Sequence, residues 1–258
     1  MNLTIVASNR NRLMPHEQAS QWFVKSLQWQ DYEEDFELLI ADGGSDNYNE
    51  IEKWFKDYGG KFPMRIVQHK IGEPFERALL NNVGVRNAKA EYVMTTDVDM
   101  MFGKSFVKTL MGNAGRDVMV ESRTMYWKQP MVNCITKKEK DLYNNIDECK
   151  IGRIKKRSSA GGCQCLHKDG WTKLRGFNEA YVGWGSEDSD LLQRAQMAGF
   201  KIVWLGESME SIMLFHQYHA KSNEQVKTDL EHQENNKKLL NDIRGYKVNP
   251  KGWGGIYE

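Results

Sequence analysis

The sequence predicts an α/β protein with a mostly parallel sheet and helices on both faces. Short apolar segments alternate with segments of helical spacing through residues 1–100. Polar residues follow three of the apolar segments, at positions 9–10, 42 and 97–99. The chain has 258 residues, of which 40% are hydrophobic, and this is enough for one large domain with a substantial core.

The first half of the chain alternates strand and helix in the order of a parallel sheet. Pro74 suits the first position of a helix, because the amide hydrogen that it lacks is not needed there. Ligands of such sheets bind at the carboxyl ends of the strands. The predicted strands cover residues 3–7, 36–41, 64–68 and 92–96, and the predicted helices cover residues 17–29, 51–58 and 74–87.

The second half of the chain is less regular. Gly199 is expected to end the helix that precedes it. The last residues, 249–258, are rich in glycine, and we expect them to be mobile. The predicted strands cover residues 118–122, 162–166 and 202–205, and the predicted helices cover residues 137–148, 187–197 and 223–241.

Charge and cysteine content argue against several classes of protein. The formal net charge is +1, so the overall charge does not favour a polyanionic partner. Cys163 and Cys165 would point to the same side of a strand, so we expect reduced thiols rather than a disulfide between them. The four cysteines, which lack the paired spacing of a zinc site and are too few for a disulfide scaffold, are Cys134, Cys149, Cys163 and Cys165.

Targeting and membrane segments are not evident in the sequence. No stretch approaches the roughly 18–20 apolar residues that a membrane span needs. The first residues, MNLTIVASNR, lack the basic region and long apolar run of a signal peptide. We therefore expect a cytoplasmic protein without a membrane span.

Two aspartates, Asp97 and Asp99, directly follow the fourth predicted strand. Carboxylate oxygens in this position suit Mg²⁺ or Mn²⁺, and such an ion could neutralise a diphosphate as it leaves. A solvated turn is the alternative, since Asp-x-Asp is a common sequence. Phosphatases with an aspartyl nucleophile also place Asp-x-Asp after a strand. They favour the first strand and a threonine where this chain has Met101.

Further polar residues follow the other predicted elements. Asp42 could accept hydrogen bonds from a base or ribose, although Asp42 followed by Gly43 also suits an ordinary turn. Guanidinium groups fit phosphate oxygens, and this chain offers Arg10, Arg12 and Arg77 near the same edge of the sheet. Taken alone, each arginine is more typical of a surface residue.

Residues 182–194, VGWGSEDSDLLQR, combine a glycine-flanked tryptophan with three acids at a helix start. The helix dipole favours acids there and explains them without function. However, the two glycines let the backbone approach a ligand, and Trp184 offers a flat face and an N–H donor to a sugar. A carboxylate at such a site, from Glu187 or Asp188, could take the proton from an attacking hydroxyl. Asp190 is expected to be structural.

Two histidines lie three residues apart late in the chain, at His216 and His219. A lone histidine is usually structural. A pair at this spacing could instead complete a metal site that begins with Asp99, because imidazole and carboxylate are both metal ligands. Of the two, His216 is the candidate ligand.

Taken in order, these motifs resemble those of GT-A-fold glycosyltransferases, most of all the β-1,4-galactosyltransferase family and related family-two transferases. Residues 75–88, FERALLNNVGVRNA, with Asp97-Val98-Asp99 resemble its arginine-containing helix and metal motif. Residues 160–190 resemble its Gly-Gly strand, Gly-Phe turn and Gly-Trp-Gly-x-Glu-Asp-x-Asp motif. The start Ser8-Asn9-Arg10 resembles its nucleotide-binding loop, and Met213-x-x-His216 has the spacing of its remaining metal ligands.

The resemblance implies a Rossmann-like GT-A fold and transfer of a hexose or N-acetylhexosamine from a UDP-sugar to a hydroxyl of a glycan or other acceptor. Asp188 would be the general base, and Glu187 would orient the acceptor. The cofactor would be Mn²⁺ or Mg²⁺, bound by Asp99 and His216, with Asp97 and Met213 as further positions. A thioether is a soft partner for such an ion. Nucleotide-sugar binding is implied for Ala7, Asn9, Arg10, Asp42, Phe75, Arg77, Asp97, Val98 and Trp184, and acceptor binding for Gly183, Trp184 and Glu187.

The resemblance spans roughly residues 3–219. We therefore expect one GT-A domain over residues 1–220, with a nucleotide-binding half over 1–100 and an acceptor and metal half over 101–220. A C-terminal helix and tail over 221–258 would follow it. The animal members of the family carry a membrane anchor and disulfides, and this sequence shows neither. Ser186 stands where the family has glycine.

Several alternatives remain open at this stage. Retaining transferases share a related Gly-Trp-Gly-x-Glu-Asp signature, so inversion is expected but retention is the alternative. A non-catalytic sugar-nucleotide-binding module should lack a complete set of base and metal ligands. Nucleotidyl transferases usually need a glycine-rich basic loop after the first strand, whereas ASNRNRLMP has the arginines but no glycine.

The basic segment at residues 150–157, KIGRIKKR, lies outside these motifs. A solvated loop before a strand explains it without function. It could also lie near the donor diphosphate or an anionic acceptor. A nucleic-acid acceptor, for instance a hydroxymethylated base in viral DNA, would bind here with a steep salt dependence. Its basic residues are Lys150, Arg153, Lys155, Lys156 and Arg157.

Overall fold

Seven strands form the main sheet of the computed structural model, which describes residues 1–58, 60–126, 161–206, 214–217, 219 and 223–257. The first half alternates strand and helix as predicted. Its first two strands are apolar almost throughout and buried along their whole length, as strands covered on both faces must be. The elements are β1 (Leu3–Asn9), α1 (Gln18–Gln28), β2 (Phe36–Asp42), α2 (Tyr48–Asp57), β3 (Met64–Gln68), α3 (Arg77–Asn87) and β4 (Tyr92–Asp97).

The second half adds shorter strands and four further described helices. The elements are β5 (Met100–Phe102), α4 (Phe106–Asn113), β6 (Val118–Ser122), β7 (Met125–Tyr126), β8 (Gln164–His167), α5 (Lys168–Leu174), α6 (Glu187–Met197), β9 (Lys201–Leu205), β10 (Leu214–His216), α7 (Asn223–Asn241), β11 (Gly252–Trp253) and β12 (Ile256–Tyr257). The short strands β5, β7 and β10 form a small separate sheet in the order β5-β10-β7.

The main sheet has the order β3-β2-β1-β4-β8-β6-β9. Strands β1 to β4 pair in parallel, whereas β8 runs antiparallel to both β4 and β6. Growth of the sheet changes direction between β1 and β4, and ligands of open α/β sheets bind at such a point. The register sets Asn9 opposite Asp42 and Ser8 opposite Asp97. The predicted fold class is therefore confirmed, and the acidic strand ends meet at one edge.

Apolar side chains cover both faces of this sheet. Ile5 packs with Phe23 and Phe106 in one cluster. The next residue, Val6, packs with Trp171 in the other cluster, as the alternation of side chains along a strand requires. A Cβ atom on Gly84 of α3 would lie 2.2 Å from Val6 Cγ1, so the glycine allows α3 to approach the sheet closely. The prediction of helices on both faces is confirmed.

Cys163 and Cys165 are free and buried. Burial raises the pKa of Cys165 to about 12 and raises the pKa of Cys163 well above its ordinary value. Both are therefore protonated and unreactive at neutral pH, and the prediction of reduced thiols is confirmed for this pair. Cys134 and Cys149 lie outside the described residues.

The start of α3 differs from the prediction. The helix begins at Arg77 and not at Pro74. The Phe75 carbonyl accepts a hydrogen bond from the Gly183 amide at 3.1 Å, and Glu76 forms an isolated β-bridge with Gly183. These contacts hold the preceding residues in an extended form and delay the helix until Arg77.

The prediction of a mobile tail is wrong for the described residues. Strands β11 and β12 form a hairpin that packs on α3. Trp253 is 7% exposed, and the guanidinium of Arg86 lies 5.2 Å from the centre of its ring. The Gly254 amide donates a hydrogen bond to Glu179 at 2.7 Å. The glycines provide tight turns that let the backbone reach these partners.

Two other predictions concern helices. The predicted helix at residues 137–148 lies outside the described residues. Among the helices that are described, none combines the length and the apolar character needed to cross a membrane. The polar helix predicted at residues 223–241 is present as α7.

The packing of Trp253 predicts that the tail stabilises the domain. We expect Trp253→Ala to lower the free energy of unfolding by about 3 kcal/mol, because it leaves a cavity against α3 and removes the contact with Arg86. Denaturant unfolding measures this change. Ile256→Ala is the matched control, since Ile256 belongs to the same hairpin but is 58% exposed. Equal effects of the two substitutions would contradict a packed tail.

Candidate active site

Arg77 joins three carboxylates at the carboxyl edge of the sheet. Its Nε donates to Asp97 Oδ1 at 2.8 Å. Its Nη1 donates to Glu187 Oε1 at 3.0 Å and to Asp188 Oδ1 at 2.9 Å. Its Nη2 donates to the Gly161 carbonyl at 3.3 Å. Desolvation opposes the charge of Arg77, but the three carboxylates outweigh it and raise the pKa of Arg77 well above its ordinary value.

The carboxylates around Arg77 differ in their surroundings. Burial is the main reason that the pKa of Glu187 is raised to about 7, and the charge of Asp188 adds to this shift. Glu187 is 3% exposed, and its Oε2 has no hydrogen-bond partner in the described part of the chain. The side chain of Asp188 is more open, with 16% exposed. The Asp188 carboxylate is therefore more accessible from solvent than that of Glu187.

Asp99, His216 and His219 form a second cluster next to the first. Nε2 of His216 lies 3.6 Å from Asp99 Oδ1, and Nε2 of His219 lies 3.4 Å from Asp99 Oδ2. One potential ligand atom from each residue lies within 4.8 Å of the others. Burial alone would raise the pKa of Asp99, but its hydrogen bond to His219 and the charges of the two histidines lower it below the ordinary value.

These three residues fit a divalent metal ion. Nδ1 of His216 donates to the Gln217 carbonyl at 2.8 Å, which leaves Nε2 with the lone pair that a metal needs. Oδ1 of Asp99 is buried and has no hydrogen-bond partner among the described residues. The predicted pairing of Asp99 with His216 is therefore matched by the geometry. His219 joins them where the resemblance pointed to Met213, and Met213 lies outside the described residues.

Backbone contacts fix the two segments that carry the candidate metal ligands relative to each other. Strand β10, which ends at His216, pairs antiparallel with β5, which begins directly after Asp99. The Gln217 amide donates to the Asp99 carbonyl at 2.9 Å. The His216 ring also stacks on Tyr126, with ring centres 5.0 Å apart. Residues more than a hundred positions apart are thus held at ligand distance by a small sheet.

Asn9 and Asp42 form a third polar group, at the ends of β1 and β2. The Asn9 amide donates to Asp42 Oδ2 at 2.9 Å and to Ser45 Oγ at 3.0 Å. Asp42 Oδ1 accepts hydrogen bonds from the Gly44 and Ser45 amides, both at 2.9 Å. Both Asn9 and Asp42 are fully buried. The geometry therefore assigns Asp42 a part in shaping the loop at residues 42–45.

Arg10 lies further out on the same edge. Its Nη1 donates to the Gly72 carbonyl at 2.6 Å, and its Nη2 lies 3.0 Å from Glu73 Oε1. The Glu73 side chain is 79% exposed. An exposed ion pair of this kind is weak, so an anionic ligand could displace Glu73 and take its place on Arg10.

The segment from Gly183 to Ser186 brings an exposed tryptophan next to the acids. Gly183 and Gly185 have φ values of +70° and +104°, which glycine adopts without strain. Ser186 also has a positive φ, of +78°, at the position where the resembling family has glycine. Trp184 is 48% exposed, and the loop is tied to Phe75 by the Gly183 amide. The predicted acceptor residues therefore lie beside Phe75 and the acids of α6.

Asp188 is also fitted closely against the chain before β8. A Cβ atom on Gly161 would lie 2.5 Å from Asp188 Oδ2. The φ of Gly161 is +128°, which other residues rarely adopt. Glycine at this position therefore makes room for the Asp188 carboxylate, and any larger residue would displace it.

A buried polar chain supports α6 from below. The Gln164 side chain donates to Glu121 Oε1 at 2.8 Å and to the Asp188 carbonyl at 3.1 Å. Glu121 is fully buried, and burial raises its pKa well above the ordinary value.

Asp190 pairs with Arg194 at 2.6 Å and is buried, so the prediction of a structural role for Asp190 is supported by its contacts.

Some predicted residues do not bring side chains to this edge. Ala7 and Val98 belong to the hydrophobic core cluster that contains Ile5. Their side chains therefore pack inside the protein, and a ligand could meet only their backbone. The basic residues of 150–157 lie outside the described part of the chain. The Glu121 and Gln164 pair was not predicted, because a buried carboxyl inside a strand carries no motif.

The match to known families is consistent with this geometry. The model of the family described as glycosyl transferase family 2 matches residues 5–162, which is more than half of the chain. The chain belongs to glycosyl transferase family 2. A second model, described as the N-terminal domain of galactosyltransferase, matches residues 140–219 of this family 2 chain.

A galactosyltransferase relative confirms the resemblance found in the sequence. β-1,4-Galactosyltransferase 5 of Danio rerio is 24% identical over 146 residues. The alignment covers 55% of this family 2 chain and 32% of the relative. The chain thus spans about a third of the length of that curated relative.

Solved structures confirm the GT-A fold of this family 2 chain. The mannosyltransferase PcManGT from Pyrobaculum calidifontis, in complex with GDP-Man and Mn²⁺, aligns with a TM-score of 0.62 and 16% identity. That alignment covers 95% of this chain and 65% of the mannosyltransferase chain. TarS 1-349 of S. aureus, in complex with UDP-GlcNAc, aligns with a TM-score of 0.58 and 14% identity, covering 95% of this chain and 68% of the other.

The position of Arg77 predicts a large effect on stability. We expect Arg77→Met to lower the free energy of unfolding by about 3–5 kcal/mol, because it leaves buried carboxylates without their cation. Denaturant unfolding at neutral pH measures this. Arg116→Met is the control, since Arg116 and Asp169 form a pair with 67% and 72% of their side chains exposed. That control should cost less than about 1 kcal/mol. A similar small loss in Arg77→Met would contradict the central role of Arg77.

The raised pKa of Glu121 predicts a pH-dependent stability. The folded state keeps Glu121 protonated above the pH at which the unfolded chain ionises it, near 4.5. The folded state therefore binds the extra proton, and the contribution of Glu121 to stability falls as the pH rises above that value. We expect Glu121→Gln to lose less stability than the wild type between pH 5 and 8, measured by denaturant unfolding. Glu91→Gln, at an exposed position, should follow the wild type. Parallel pH curves for Glu121→Gln and wild type would refute the assignment.

Proposed function

We propose that the chain is a metal-dependent, inverting glycosyltransferase that moves a hexose or N-acetylhexosamine from a UDP-sugar to an acceptor hydroxyl. The observation that carries this proposal is the juxtaposition of two clusters at the carboxyl edge of the sheet. Arg77 binds Asp97, Glu187 and Asp188, and Asp97 is two residues before the metal-binding candidate Asp99. A complete set of base and metal ligands argues against a non-catalytic binding module.

The metal would be held by Asp99, His216 and His219. Two imidazole nitrogens beside a carboxylate favour Mn²⁺ over Mg²⁺, because Mg²⁺ prefers oxygen ligands. When bound, the ion would neutralise negative charge on the leaving diphosphate. Asp97 is proposed to face the ribose or a metal-bound water, and Met213 is kept as a further metal position.

Asp188 is proposed as the general base. Its carboxylate is the more exposed of the two acids at the start of α6, and Arg77 holds one of its oxygens. The acceptor oxygen attacks the anomeric carbon while its proton passes to Asp188, and the bond from that carbon to the diphosphate oxygen breaks. A single displacement of this kind inverts the anomeric centre. Retention is the alternative outcome.

Glu187 and Trp184 are proposed to position the acceptor. Glu187 Oε2 is buried without a hydrogen-bond partner among the described residues, so a sugar hydroxyl could complete its hydrogen bonding. Trp184 offers an exposed ring beside it, which can pack on the face of a sugar. The backbone of Gly183 is also proposed to lie beside the acceptor, as the resemblance implies.

The donor would enter between the ends of β1 and β4. Arg10, Phe75 and the loop shaped by Asn9 and Asp42 are proposed to hold the uridine diphosphate, with backbone contacts from Ala7 and Val98. Arg77 is proposed to organise the acids rather than clamp the phosphates, because its N–H groups already bind carboxylates. The UDP-GlcNAc and GDP-Man in the complexes of TarS and PcManGT make both nucleotides worth testing, and the resemblance to galactosyltransferases favours UDP.

The wider assignments are also proposals. Residues 1–220 would form the transferase domain, with nucleotide-binding and acceptor halves that meet near residue 100, and residues 221–258 would form its C-terminal extension. The acceptor would be a glycan or another hydroxyl compound. A modified base in DNA is the second candidate, because residues 150–157 are strongly basic.

Two substitutions test the proposed chemistry. We expect Asp188→Asn to lower kcat at least about a hundredfold, because the base is lost. Asp99→Asn should raise the Mn²⁺ concentration needed for half-maximal activity at least about tenfold. UDP release from a panel of UDP-sugars and GDP-mannose, with candidate glycan acceptors, measures both effects. Asp117→Asn, at an exposed position far from the site in sequence, is the control. Wild-type turnover in both site variants would overturn the mechanism.

A further inference from the structure

The C-terminal helix α7 holds the loop that carries Trp184. The side-chain amide of Asn236 donates to the carbonyl of Val182 at 3.1 Å, to that of Gly185 at 2.9 Å and to that of Trp184 at 3.4 Å. Asn236 is only 3% exposed, although the helix around it is polar and mostly exposed. The two N–H groups of one buried amide therefore lie within hydrogen-bond distance of three carbonyls in residues 182–185, the Trp184 loop.

The shape of the loop also matches α7. A Cβ atom on Gly183 would lie 2.0 Å from His232 Nδ1, one helical turn before Asn236. On the other side, the Gly183 amide donates to the Phe75 carbonyl at 3.1 Å. The loop is thus held between the donor side of the site and α7. Glycine at position 183 is needed for both its φ of +70° and its contact with the histidine.

Apart from the contact of Gly183 with His232, the loop is not closely packed on α7. An open groove of about 650 Å³ lies between the helix and residues 180–182, lined by Ala180, Val182, His232 and Asn236 among others. Space of this size means that few apolar contacts fix the distance between the two segments. The hydrogen bonds of Asn236 therefore contribute a large share of the contact.

The loop controls residues with proposed catalytic roles. Glu187 begins α6 two residues after Gly185, so the end of the loop sets the start of that helix. The ring of Trp184 is 48% exposed, so its place depends strongly on the backbone that carries it. A loop that shifts by about 1 Å would displace both the sugar platform and the acids, and errors of this size are costly in catalysis.

We propose that Asn236 is a positioning residue that holds the Trp184 loop in the geometry needed for acceptor binding. This inference rests on the proposed transferase function. It makes the C-terminal helix part of the catalytic apparatus and not an accessory to it.

The test compares Asn236→Ala with Asn235→Ala. Asn235 is its exposed neighbour on the same helix. Hydrogen–deuterium exchange of peptides that span residues 181–188 reports loop order without any substrate. We expect Asn236→Ala to speed exchange there about tenfold and to lower kcat/KM for the acceptor about tenfold, since it removes hydrogen bonds to three carbonyls. Binding of UDP with Mn²⁺, measured by calorimetry, should change less than about twofold, because Asn236 contacts none of the residues proposed to hold the uridine diphosphate.

Asn236→Asp separates the loss of hydrogen bonds from the loss of side-chain packing. It keeps the size of the side chain but replaces the N–H donors with an acceptor, so it should disturb the loop at least as much as alanine does. Unchanged exchange in both Asn236 variants overturns the clamp even if the transferase proposal is correct. Faster exchange with an unchanged acceptor kcat/KM overturns the positioning role. Faster exchange in a protein that uses no sugar nucleotide supports the clamp and refutes the transferase function, so the two failures are distinguishable.

Discussion

The ion pairs of Arg77 are the interaction on which the rest of the site depends. This residue lies at the first position of α3, next to the carboxyl end of β4 and facing the start of α6. Its partners Asp97 and Asp188 come from opposite halves of the chain, so the guanidinium joins those halves at one point. A buried cation is stable here because several carboxylates surround it, and those carboxylates are stable close together because the cation is there.

The same cluster has more negative charge than Arg77 can balance. Asp97, Glu187 and Asp188 all pair with this one guanidinium, and the charge of Asp99 also acts on Asp97. Burial raises the pKa of Glu187 to about 7, so protonation of Glu187 relieves part of the excess near neutral pH. A divalent ion bound at Asp99 would relieve more of it. The proposed diphosphate would otherwise meet repulsion from these acids, so the excess of negative charge supports the proposal that a cation binds together with the sugar nucleotide.

The sequence predicted the parts of the site that follow from strand ends. Asp42, Asp97 and Asn9 were expected together because the carboxyl ends of parallel strands share one edge, and the register confirms it. The sequence does not predict which residues Arg77 binds, because its hydrogen-bond partners come from distant parts of the chain. The sequence shows His219 as part of a histidine pair, but the resemblance implies Met213 and not His219 as a metal ligand.

The local composition of the tail and of α7 does not predict the long-range contacts that these segments make. The glycine-rich composition of the tail predicts a mobile segment, yet Trp253 contacts Arg86, which lies far away in the chain. Asn236 lies in a helix whose pattern is mostly polar, so nothing local distinguishes it from its exposed neighbours.

The segment around Phe75 shows what such long-range contacts achieve. The Phe75 carbonyl accepts a hydrogen bond from the Gly183 amide, and two residues later the Arg77 guanidinium donates one to Asp188. One short segment therefore contacts both the loop proposed to bind the acceptor and the proposed base, so these parts of the site are held in one arrangement by the fold itself.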